Sequence, residues 1–176
     1  AAALCSDATL QHEDGRWTLI GDPTEGALVV AVEKLGYPVE ALRAEHPRLD
    51  VIPFESENQW MATLHHGPDA AHRILVKGAP EVVARRCHDC DLSALQIEVE
   101  RLASQGMRVL GVAARHVSSD KTQLTREDVE SGLGWVGLVG MIDPPREEAI
   151  RAIQVCRAAG ITVKMITGDH RATAAA

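Results

Sequence analysis

The residues best suited to chemistry fall in one stretch. It runs Val51-Ile-Pro-Phe54-Glu-Ser56-Glu-Asn-Gln59-Trp60 and, after Gly67-Pro68-Asp69, continues as Ile74-Leu-Val-Lys77-Gly78-Ala79-Pro80-Glu81. Phe54 is the single phenylalanine of the chain. An aromatic ring can stack a base, worth roughly 1–3 kcal/mol per base in nucleic-acid systems. A lysine beside Gly78, where no Cβ blocks approach, suits a phosphate or an electron-rich ring. The pair therefore forms a candidate nucleotide site. Phe54 could equally be core filler, since large apolar side chains are usually buried.

The elements that must position these side chains read as a hairpin. A strand runs from about Gln59 to His65, Gly67-Pro68-Asp69 is turn chemistry, and Arg73–Lys77 returns as an apolar strand. That geometry predicts Phe54 and Lys77 at the same end of one sheet. Upstream, residues 1–12 carry little pattern and Trp17–Ile20 is a short strand. Asp22-Pro23-Thr24-Glu25 then opens a helix, with Asp22 as N-cap, Pro23 in the first turn and Glu25 at box-like spacing. On its own, Glu25 is adequately explained as a carboxylate favoured by the helix dipole. Leu28, Ala31, Val32 and Leu35 predict the buried face, and Gly36 the stop.

Further helices are expected from Pro38 to before Pro47, from Ala79-Pro80-Glu81 to about Cys87, and from a Ser93/Gln96 capping box to Gln105. Met107–Arg115 reads as a strand that begins with Arg108 and includes Leu110, and Thr125–Asp128 opens a short helix. The last third changes character. Gly134–Ile142 reads as a buried strand, Asp143 as the cap of a helix whose Ile150 and Ile153 face a core, and Ile161–Ile166 as a second apolar strand. Strand, helix, strand predicts a parallel βαβ unit, with Asp143 and Asp169 at the carboxyl ends where ligands gather.

Composition narrows the function classes. A chain of 176 residues is one domain, or one domain with a fragment of another. A net charge of −7 argues against a nucleic-acid or anionic-membrane partner. The longest apolar run, Ser131–Ile142, is too short to span a bilayer, and no signal peptide is visible, so a soluble chain is expected. Cys87-His-Asp-Cys90 has metal-ligand spacing, but no second Cys or His pair closes a zinc site, which favours free thiols and no metal.

Taken together, the landmarks resemble the cytoplasmic catalytic region of P-type cation-transporting ATPases of the calcium- and sodium/potassium-pump type. The matching motifs are Gly21-Asp-Pro-Thr-Glu25-Gly-Ala-Leu28, Ile52-Pro-Phe54-Glu-Ser56, Lys77-Gly-Ala-Pro80-Glu81, Gly106-Met-Arg108-Val-Leu110, Val139-Gly-Met-Ile-Asp143-Pro-Pro-Arg146 and Met165-Ile-Thr167-Gly168-Asp169. Each alone is weak, but their shared order over almost the whole chain is specific. The resemblance implies an α/β (α+β) fold: a mostly antiparallel sheet flanked by helices as nucleotide-binding domain (1–143). Residues 144–176 would be a hinge and a truncated βαβ piece of a haloacid-dehalogenase-like phosphorylation domain. It also implies ATP as ligand and Mg2+ in the full-length pump.

Residue by residue, the resemblance has Phe54 stacking the adenine, Glu25 near the adenine amino group, and Lys77 lining the base and ribose pocket. Arg108 would reach the phosphates, while Gly78 and Leu110 shape the walls and Ser56 lies beside the stacking ring. Asp143 to Arg146 would form the hinge, and Thr167, Gly168 and Asp169 the phosphate side of the second domain. Ser56 and Gln59 stand where the family carries basic side chains. That departure predicts weak binding, with Kd from high micromolar to millimolar, about −4 to −6 kcal/mol.

The aspartyl-phosphate motif of the family, Asp-Lys-Thr-Gly-Thr, is not matched. Asp120-Lys121-Thr122-Gln123-Leu124 imitates its start but lies in a polar linker after the nucleotide motifs. The expected role is therefore ATP binding without turnover, with no catalytic residue in this sequence and the remaining pump domains as partners at the cytoplasmic side of a membrane. Two other readings stand beside it. One is a free-standing haloacid-dehalogenase-like hydrolase using Asp143 or Asp169, which lacks the required Asp-x-Asp. The other is a zinc-stabilised binding module built on Cys87 and Cys90.

Overall fold

The computed structural model describes residues 1–67, 71–143, 146–164 and 166. The chain opens with a hairpin of β1 (Thr9–Glu13) and β2 (Arg16–Ile20), turned by Asp14 and Gly15 at φ 50° and 75°. Positive φ at both central residues is the twist-matched hairpin turn that Asp-Gly favours. Two helices follow, α1 (Pro23–Lys34) and α2 (Val39–Glu45).

The centre of the molecule is a five-stranded antiparallel sheet. Its strands are β3 (Arg48–Glu55), β4 (Trp60–His65), β5 (Ala71–Gly78), β6 (Arg108–Ser118) and β7 (Gly134–Met141), adjacent in that order. The helices α3 (Pro80–Ala84) and α4 (Leu92–Ala103) connect β5 to β6, and α5 (Glu147–Ala158) comes last. This is the predicted α/β arrangement, an antiparallel sheet flanked by helices.

Two layers cover the sheet. On one face Trp60, Ala62, Leu64, Ile74 and Val76 pack with Val83 of α3 and with Leu124, Val129 and Leu133. On the other, Met61 and Leu75 pack against Cys5 of the N-terminal segment. Every residue of β4 is therefore buried, which is why this strand shows no alternation. Pro53 sits on β3, an edge strand, where its missing N–H leaves no ladder bond unmade.

Several local expectations are corrected. Asp22 caps α1, its Oδ1 accepting from the Thr24 and Glu25 amides at 2.8 and 3.2 Å, but the Glu25 side chain turns away and closes no capping box. Leu28 and Val29 face the core of α1, whereas Ala31 and Leu35 are exposed. Asp91 rather than Ser93 caps α4, accepting from the Ser93 and Ala94 amides at 2.9 and 3.1 Å.

The largest change is in the last third. β7 pairs antiparallel with β6 as an edge strand, from Arg108↔Met141 to Ala114↔Gly134, and so does not open a parallel βαβ unit. Arg146, not Asp143, occupies the N-cap of α5. Ile150 and Ile153 are exposed, and no described residue of α5 is buried. Residues 161–164 and 166 form no strand, and the expected sites Thr167, Gly168 and Asp169 lie outside the described residues.

Candidate nucleotide site

The register of the sheet brings the singled-out residues to one end. Glu55 pairs with Trp60, and Trp60 pairs with Gly78. Phe54 falls in the register shift between Ile52 and Glu55, where an irregular strand turns a side chain outward. It is 58% exposed, so it is not core filler. With β4 between them, β3 and β5 lie about 10 Å apart, two strand spacings. Ser56 follows Phe54 in the exposed turn.

Lys77 is 6% exposed and points to the face covered by the N-terminal segment and α1. Its Nζ donates to Glu25 Oε1 at 2.7 Å and to Ser6 Oγ at 2.9 Å. The other oxygen of Glu25, Oε2, accepts from the backbone amides of Asp7 at 2.6 Å and Ala8 at 3.1 Å. A carboxylate and an ammonium with 14% and 8% of their side chains exposed are thus paired and multiply hydrogen-bonded, which is what makes their burial tolerable.

Val112 pairs with Lys77, and by alternation Arg108 and Leu110 point to the same face. Arg108 lies at the outer end of β6, its guanidinium 3.5 Å from Thr24 Oγ1 in the first turn of α1. Asp22, at that helix start, has its carboxyl held below the usual range: partial burial works the other way, and the Glu25 and Thr24 amide hydrogen bonds outweigh it.

Gly78 belongs to the opposite face. A Cβ there would lie 2.7 Å from the Trp60 Cα, and one on its partner Gly111 would lie 2.8 Å from the Trp135 ring. Packing against neighbouring strands and α3 accounts for both glycines. A cleft of about 800 Å3 lies between α3, α4 and the start of β6, lined by Gln59, Leu95, Val99, Met107, Arg108 and Val109 among others. Phe54, Lys77 and Glu25 do not line it.

Ser6 and its neighbours went unnoticed in the sequence, because a segment without periodicity announces no contacts. Asp143 is exposed, as is Arg146. Lys121 is ion-paired to Asp128 at 2.7 Å, and its carbonyl lies 2.7 Å from the His72 ring, which ties down the linker that follows Asp120. Cys87 donates to the Val83 carbonyl at 3.3 Å, and burial with Asp89 nearby pushes its thiol up to about 11. Among the described residues no cluster of three His, Cys, Asp or Glu could hold a metal ion. None of the described helices is long and apolar enough to cross a membrane.

The geometry comprises an exposed aromatic ring at the same sheet end as a buried lysine–glutamate pair, on an antiparallel sheet flanked by helices. The model of the P-type ATPase cytoplasmic domain N matches residues 1–148, and the chain belongs to that family. It is 45% identical to a cation-transporting ATPase of Synechocystis sp., over 98% of this chain and 20% of that protein. It is 39% identical to calcium-transporting ATPase 1 of Lactococcus lactis, over 100% of this chain and 21% of that protein. An endoplasmic reticulum calcium ATPase of Aspergillus fumigatus is 36% identical over 98% of this chain and 22% of its own length. The chain therefore spans about a fifth of the curated relatives it matches.

Proposed function

We propose that this chain holds ATP for a P-type cation pump. Phe54 stacks the adenine, the Lys77–Glu25 pair forms the polar wall of the base pocket, and Leu110 adds an apolar side. Arg108 meets the phosphates, and Ser56 borders the ring. Residues 1–143 act as the nucleotide-binding domain. The segment from Asp143 to Arg146 is the hinge, and Thr167, Gly168 and Asp169 serve the phosphate side of an adjoining phosphorylation domain. The pump's remaining domains, at the cytoplasmic side of its membrane, supply the aspartate that receives the γ-phosphate, with Mg2+ neutralising the developing charge. This chain's contribution is position, a large part of phosphoryl-transfer catalysis.

One observation carries the reading: the chain's single phenylalanine stands out into solvent at the sheet end where the lysine is tethered. Membership of the domain N family and the relatives' names as ATPases support it. Titration of the isotope-labelled chain with ATP is expected to shift the amide signals around Phe54, Lys77 and Arg108, with a Kd from high micromolar to millimolar. No phosphoenzyme should form at Asp120. Shifts confined to other surfaces, or none at millimolar ATP, would overturn the assignment.

A further inference from the structure

Beneath the lysine–glutamate pair lies a stretch of chain that is hydrogen-bonded from both sides. The carbonyls of residues 4, 6 and 8 are gripped from one side by two arginines. Arg48 Nη2 donates to the Leu4 carbonyl at 3.1 Å and to the Ser6 carbonyl at 2.7 Å. Arg43 Nη2 donates to the Ser6 carbonyl at 3.3 Å and to the Ala8 carbonyl at 2.8 Å. Arg48 also pairs with the Asp7 carboxylate.

From the other side the same stretch offers its donors upward. The amides of Asp7 and Ala8 hold Glu25 Oε2, and the Ser6 hydroxyl accepts from Lys77 Nζ. That hydroxyl spends its own proton on the Ala2 carbonyl at 2.9 Å. Its lone pairs are thereby aimed at the ammonium, and Ser6 is 1% exposed, so no water competes for the place. Two of the three ammonium N–H bonds are directed to fixed partners, Ser6 and Glu25. Among the described residues no acceptor meets the third. Two fixed bonds set the direction of the last one, which is the bond left for a ligand.

We propose that Ser6 is a positioning residue for the base pocket. Clamped by Arg43 and Arg48, it fixes the Lys77 ammonium so that its remaining N–H points to the bound nucleotide. The proposal rests on the ATP-binding reading above and adds to it a residue that touches no ligand. Removing one oriented acceptor of a charged donor, with Glu25 still in place, corresponds to about a three- to tenfold loss of affinity.

The test compares Ser6→Ala, Ser6→Cys and Ser6→Thr in this chain, with Phe54→Ala as the reference for base binding. ATP affinity is measured together with the 13Cε signal of Lys77. Ser6→Ala is expected to raise the ATP Kd about three- to tenfold and to move the Lys77 signal. Ser6→Thr, which keeps the hydroxyl, should bind within about twofold of the parent. If Ser6→Ala does not fold, Ser6→Cys, similar in size and a weaker acceptor, is expected to show the same loss. ATP binding and a Lys77 signal both unchanged in a folded Ser6→Ala or Ser6→Cys chain, while Phe54→Ala binds weakly, would overturn the positioning role alone. Failure of the parent chain to bind ATP would instead sink the nucleotide reading.

Discussion

Phe54 and Trp60 flank one turn of the sheet and have opposite fates: the phenylalanine is 58% exposed and the tryptophan 4%. Trp60 packs in the core with Val76 and Val83, and the guanidinium of Arg86 lies 5.3 Å from its ring centre. Of the two aromatic residues that flank this turn, one belongs to the core and the other stands in solvent.

Phe54→Ala is therefore expected to leave stability within about 0.5 kcal/mol, as for most exposed positions. ATP affinity should fall by about 1–3 kcal/mol, the range for one stacked base. Calorimetry of the variant, alongside its thermal melt, measures both.

Lys77→Met strands a mostly buried carboxylate. Breaking a buried pair from one side costs about 3–5 kcal/mol, and the two amides that still hold Glu25 should bring this variant to the lower end. Lys77→Met combined with Glu25→Gln should recover part of the loss. Urea denaturation of the single and double variants gives the coupling.

Gly78→Ala should destabilise by about 1–3 kcal/mol through overpacking against Trp60. Because Gly78 faces away from the lysine, the folded fraction of this variant should bind ATP as the parent does. Affinity lost without stability lost would place the glycine against the ligand instead.

His65 supplies a pH dependence. It is 3% exposed, its ring lies 2.9 Å from Thr63 Oγ1 and 3.0 Å from the His46 carbonyl, and burial lowers its pKa from 6.5. The unfolded chain then takes up a proton more readily than the folded one. Stability is fullest above pH 6.5 and falls as the pH drops toward the folded value, by at most about 1.4 kcal/mol per unit. Denaturation midpoints at pH 7.5 and 5.5 should differ less in His65→Gln than in the parent.

Much of the placement of the candidate site was legible because its logic is local. The two strands on either side of Gly67 place Phe54 and Lys77 at one end of the sheet without any knowledge of the rest. The pairing of Lys77 with Glu25 was not, since nothing in either neighbourhood names the other. Ser6 was still less so: its hydroxyl meets Lys77 and its carbonyl two arginines, all far along the chain. β7 shows a different limit. An apolar, glycine-rich run tells of a strand but not of its partner, and the run read as the core of a parallel unit is an edge with Val136 in solvent. At α4 two good capping residues, Asp91 and Ser93, stand close together, and only the backbone decides between them.

The Lys77–Glu25 pair also bears on how the pocket responds to its medium. Its two charges cancel within 2.7 Å, so ions in solution find almost no field there to screen. Ionic strength should therefore leave the base end of a bound nucleotide almost untouched, with adenosine holding its affinity across added salt.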